Sequence, residues 1–159
     1  MDGGLRRELK KRSPFDVLEQ EVMLNLARTN DRFQLRFARL FRDAGITSSQ
    51  YNVLRILRGE GAALPCLEIA ERMVAAVPGI TGLIDRLEAM QLVERHRSTE
   101  DRRVVHVAIT DKALGLLATL DQPVIDTHKA LIGHLTRDEL KTLNALLEKA
   151  RWSTAADGP

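Results

Sequence analysis

The sequence predicts a mainly α-helical fold carrying one small β-hairpin, an α+β class in which helices dominate. Three observations lead there. Apolar residues recur at spacings of three, four and seven over most of the 159 residues, the stripe of amphipathic helices. The period shortens to two at Val105-His106-Val107-Ala108-Ile109, where the larger apolar residues alternate as in a strand. Capping and stop signals between the stripes, among them Gly45, Thr47-Ser48-Ser49-Gln50, Gly59, Gly61 and Thr136-Arg137-Asp138-Glu139, cut the pattern into discrete helices.

From Pro14 onward Leu18, Val22, Leu26, Phe33, Phe37, Leu40 and Phe41 form one long stripe that Gly45 ends. The capping box Thr47 to Gln50 opens a short second helix with Tyr51, Leu54 and Leu57. A third helix follows Pro65, with Leu67, Ile69, Ala70 and Met73 as its apolar set. The fourth begins near Pro78, a residue favoured in the first helical turn, and places Ile80, Leu83, Ile84 and Leu87 on one face. Its other face carries Gly79, Thr81, Gly82, Asp85 and Arg86. Leu92 to Arg97 then pairs with Val105 to Ile109 across a polar tip, Ser98 to Arg102. Thr110 caps a helix with Leu114, Leu117 and Leu120, which Pro123 is expected to kink or interrupt before Val124, Ile125 and Leu131. The box at Thr136 starts a last helix with Leu140, Leu143, Leu146 and Leu147, and the tail after Trp152 is expected to fray.

Composition narrows the function. The apolar runs fall far short of the ~20 residues that span a bilayer, and residues 1 to 12 lack the apolar core of a signal peptide, so a cytoplasmic protein without membrane contact is expected. A single cysteine, Cys66, agrees with a reducing compartment and excludes an internal disulfide; it reads as a small buried hydrophobe, not an oxidant sensor. His96, His106, His128 and His134 lack metal-ligand spacing, and no phosphate-binding glycine loop or nucleophile elbow is present. No enzyme activity, metal or cofactor is expected. Charge is nearly balanced after residue 12, with five Lys/Arg against two acids before it, so a nucleic-acid footprint has to be local. Arg95, Arg97, Arg102 and Arg103, opposed within that stretch by Glu100 and Asp101, mark such a place.

Two short helices followed by one with a small, polar outer face suit entry into a major groove, and arginines at a hairpin tip can reach the flanking minor groove. That is the logic of a winged helix-turn-helix. The segments "ITSSQYNVLRIL" at 46 to 57, "LEIAERM" at 67 to 73, "PGITGLIDRLEAMQLVER" at 78 to 95 and "DRRVVHVAIT" at 101 to 110 carry a resemblance to the MarR family of bacterial winged helix-turn-helix regulators, over roughly residues 15 to 150. The resemblance implies a homodimer that binds a pseudo-palindromic operator in double-stranded DNA as a transcription regulator, most simply a repressor, released by a small aromatic or lipophilic effector whose contacts in this chain are unassigned. Asp101 and Arg103 fall on fixed positions of the family's wing. Gly82 stands where the family commonly has Arg, Gly79 where it has Thr or Ser, and Gln91 and Ala113 where it has Gly.

The resulting division is a basic N-terminal arm at 1–14, expected to be flexible, a helical dimerisation region at 15–45 and 111–152, a DNA-binding lobe at 46–110 and a flexible tail at 153–159. The DNA-contacting candidates are Ser48, Gly79, Thr81, Gly82, Arg86, Arg97, Asp101, Arg102 and Arg103. Two alternatives stay open: a winged-helix module that binds protein, and a ligand sensor with only weak, nonspecific DNA affinity.

Overall fold

The computed structural model describes residues 4–97 and 105–155. Their elements run α1 (Gly4–Glu8), α2 (Leu18–Asp43), α3 (Ser48–Glu60), β1 (Leu64–Pro65), α4 (Cys66–Glu71), α5 (Ile80–Ala89), β2 (Val93–Arg97), β3 (Val105–Ile109), α6 (Asp111–Ile132) and α7 (Arg137–Ala155). The chain forms two compact units, Met1–Pro123 and Val124–Pro159, with α6 crossing the boundary.

In the first unit α3, α4 and α5 close on a small antiparallel sheet of order β1-β3-β2. The core is the inward stripe of each element: Val53, Leu54 and Leu57 from α3, Ile69 from α4, Ile84 and Leu87 from α5, with Val93, Val107 and Leu117. The spacing of these residues on each helix is the amphipathic period read from the sequence. The expected hairpin is present, with Val93 opposite Ile109 and Arg97 opposite Val105. It gains a third strand, because Leu64 and Pro65 pair with Val107 and His106.

Helix ends follow local chemistry. The Thr47 hydroxyl accepts from the Gln50 amide at 3.2 Å while the Gln50 side-chain oxygen accepts from the Thr47 amide at 2.8 Å, a complete capping box. The two helix stops at Gly45 and Gln91 share one design. Ile46 N–H donates to the Phe41 carbonyl and Gly45 N–H to that of Arg42, both at 2.9 Å; Leu92 donates to Leu87 at 2.9 Å and Gln91 to Glu88 at 2.8 Å. Each is a Schellman motif, whose hydrophobic pair, Phe41 with Ile46 and Leu87 with Leu92, is buried.

Three expectations are revised. The fourth helix starts at Ile80, not Pro78, because Gly79 takes a left-handed φ of 76° as its N-cap. The third helix ends at Glu71, leaving Met73 in the connection that follows. Pro123 lies inside α6, which is helical without a break from Asp111 to Ile132, so of the kink or interruption expected there the interruption is absent. Within the arm at 1–14, α1 buries Leu5, and Glu8 bonds Arg32 at 2.6 Å and Arg28 at 3.5 Å.

In the second unit Thr136 and Glu139 form the second capping box, with the Glu139 carboxylate accepting from the Thr136 amide at 2.8 Å. That bond, followed by the one from the Thr136 hydroxyl, holds the Glu139 carboxyl below its ordinary value. Helix α7 runs from Arg137 to Ala155.

Candidate nucleic-acid interface

The outward face of α5 is the centre of the site. Leu83, Ile84 and Leu87 bury its inner face, which leaves Thr81, Asp85 and Arg86 exposed and Gly82 half-buried on the other. A Cβ at Gly82 would meet nothing within 4 Å, so there is open space beside it.

Arg95 on β2 ties the sheet to this helix. Its guanidinium, about one-fifth exposed, bonds Asp85 at 2.6 Å and Glu88 at 2.7 Å, and donates to the Thr81 carbonyl at 3.4 Å. Partial burial works against its charge, but the bonds to Asp85 and then Glu88 outweigh it and raise its pKa further. Arg95 therefore braces the hairpin on α5 and neutralises two acids that would otherwise face phosphate. The sequence placed Arg95 among candidate cations and missed this role. Its signal was present: two acids three residues apart on one helix, followed by an arginine on the adjoining strand.

Arg72, at the end of α4, is likewise occupied, by Glu60 at 2.5 Å and by Glu68 one turn back. Arg86 and Arg97 are exposed and form no ion pair among the described residues. Ser48 opens α3, half-buried beside the Thr47 cap. Gly79, Thr81, Gly82 and Arg86 thus lie together on α5 or its cap, Arg97 ends β2, and Ser48 lies on a separate helix. Asp101, Arg102 and Arg103 lie outside the described residues.

Lobe and C-terminal helix are joined within the first unit. Arg58 on α3 grips Asp121 on α6 through two bonds, 2.7 and 3.0 Å. The hydrogen bond from Arg58 is the largest influence holding the Asp121 carboxyl below its ordinary value. Around the Gln91 turn, Thr110 donates to the Gln91 carbonyl at 2.9 Å and the Lys112 ammonium to that of Met90 at 2.8 Å. Beside this turn an open groove of about 480 Å³ is lined by Ile46, Met90, Leu92, Lys112 and Leu116. Cys66 is half-buried as the first residue of α4, and no group of three His, Cys, Asp or Glu among the described residues could hold a metal ion. No helix among them is long and apolar enough to cross a membrane.

A helical pair presenting α5, with a sheet braced against it, defines a winged helix-turn-helix DNA-binding protein. The model of the MarR family matches residues 46–105, from just before α3 to the first residue of β3. A MarR transcription factor from Planctomyces limnophilus is 44% identical, with 85% of this chain and 98% of that one covered and a TM-score of 0.66. A mutant MarR from E. coli, solved in complex with operator DNA, is 27% identical over 86% of this chain and 99% of that one, at a TM-score of 0.75. The transcriptional repressor MdtR of Bacillus subtilis is 34% identical over 97 residues, which span 61% of this chain and 62% of that protein. The chain belongs to the MarR family of transcription regulators.

Proposed function

We propose that this chain acts as a two-fold homodimer that binds a pseudo-palindromic DNA operator and represses transcription, with α5 in the major groove and the wing on the flanking minor groove. The carrying observation is the Arg95 brace, which fixes the hairpin at one position against α5 so that helix and wing meet DNA as one surface. Gly79, Thr81, Gly82 and Arg86 supply the groove face, and Ser48, Arg97, Asp101, Arg102 and Arg103 are the further DNA-contacting residues of this reading. Dimerisation through 15–45 and 111–152 is supported by apolar residues left exposed on α2, Leu18, Val22 and Met23, and on α7, Leu146 and Trp152. A small aromatic or lipophilic effector acts on this regulator, as the family resemblance implies.

The test is selection of bound sequences from a pool of random duplexes by the full-length protein. The expected product is a two-fold motif with half-sites about one helical turn apart, roughly 10 to 10.5 base pairs. Recovery of unrelated sequences, with affinity set by salt alone, favours the nonspecific alternative.

A further inference from the structure

We propose that the α4–α5 connection and the start of α5 read thymine methyl groups in the major groove, with Val74, Ala76 and Thr81 as the specificity-determining residues. The inference deepens the DNA-binding function above and rests on it. Residues 74–82, Val-Ala-Ala-Val-Pro-Gly-Ile-Thr-Gly, hold one side chain able to form a hydrogen bond, Thr81. Val74 is 81% exposed, and Ala75 and Ala76 are exposed beside it, so these groups contribute nothing to the core of the free protein. Along the chain this segment leads through Pro78 and Gly79 into the first turn of α5, where Thr81 is exposed.

Selective base reading by hydrogen bonds uses an arginine or lysine for guanine, an amide for adenine, or a free carboxylate for cytosine, while a serine or threonine hydroxyl bonds either kind of base edge. On this segment only the Thr81 hydroxyl is of that kind, and it selects little. Of the charged neighbours, Arg72 is held by Glu60 and Glu68 and Asp85 by Arg95, whereas Arg86, one turn beyond Gly82, is exposed and reads or anchors at its own position. The base-edge feature that an aliphatic surface can distinguish is the thymine C5-methyl, which alanine, valine and the threonine methyl can cover. Gly82 permits the approach: its missing Cβ answers no contact inside the protein, since one built there meets nothing within 4 Å.

The probe is the duplex recovered from the random pool, synthesised with thymine and with deoxyuridine at single positions of each half-site. At one or more positions, loss of the methyl should weaken binding about fourfold, the scale of one buried methyl-sized group. The salt slope should not change, because no phosphate contact is altered. Val74→Ser and Thr81→Ser should melt like the wild type, bind the thymine duplex more weakly and lose the thymine-to-deoxyuridine difference at one matched position. Equal affinity for both duplexes overturns the proposal, as does a difference that persists unchanged in both variants. Failure to recover any motif overturns the DNA-binding function itself and this inference with it, whereas a clear motif with silent methyls overturns this inference alone.

Discussion

Gly79 and Gly82 lie three residues apart and answer to different physical demands. Gly79 holds φ at 76° as the cap of α5, a conformation in which a Cβ costs roughly 1–2 kcal/mol. Gly82 is inside the helix at ordinary φ with open space around it, where glycine is about 0.5–1 kcal/mol worse than alanine. Gly79→Ala should therefore lower the melting temperature and Gly82→Ala raise it; shifts of the same sign would refute the assigned helix start. The sequence alone placed both on the outer face of one helix, because helical periodicity runs through Gly79 and does not reveal φ. Gln91 completes the comparison. It holds φ at 60° in the Schellman turn after α5, where the family has glycine, and Gln91→Gly should stabilise the protein by up to about 1 kcal/mol in chemical denaturation.

At the scale of elements, what was legible is what is local. Both capping boxes are complete in a window of four residues and form as read. Strand β1 has two residues and exists only through pairing with β3, more than forty positions on, so no period could announce it. The Arg58–Asp121 bond was hidden for the same reason, its partners being far apart in the chain. It also carries a pH dependence. The folded carboxyl of Asp121 lies below its ordinary value of 3.8, so its stabilisation is fully present above that value and is lost as pH falls through the lower, folded one. Asp121→Asn should be less stable than the wild type at pH 7, with the gap in urea midpoint closing below pH 3.8. A gap that stays constant to pH 3 assigns the effect to packing instead. The Arg95 brace gives a different readout: Arg95→Met should keep most of the fold, since the aliphatic stem still covers the sheet, yet bind DNA more weakly because wing and helix are no longer held together. Unchanged affinity would separate the brace from recognition.

For the whole molecule, the proposed reading of a two-fold operator by a dimer couples assembly to binding. Leu146 is 58% exposed on α7 in the single chain, and a second protomer is the simplest cover for it and for the exposed stripe of α2. Leu146→Asp would replace a buried apolar contact with a desolvated, unpaired carboxylate in both copies of the interface. Together these costs should raise the dimer dissociation constant at least about a hundredfold, roughly 2.7 kcal/mol. The free chain should still fold, because in the monomer the new carboxylate sits in water. Sedimentation should then show wild-type dimers at micromolar concentration and variant monomers with unchanged helical content. DNA makes the stronger discrimination, because two half-sites can reassemble what the interface no longer holds. Binding by the variant should become steeper in protein concentration, approaching a second-power dependence, while the half-saturation point moves upward. A variant that is monomeric in solution yet binds with a first-power dependence and unchanged affinity would mean that one protomer suffices, and the two-fold operator would have to be abandoned.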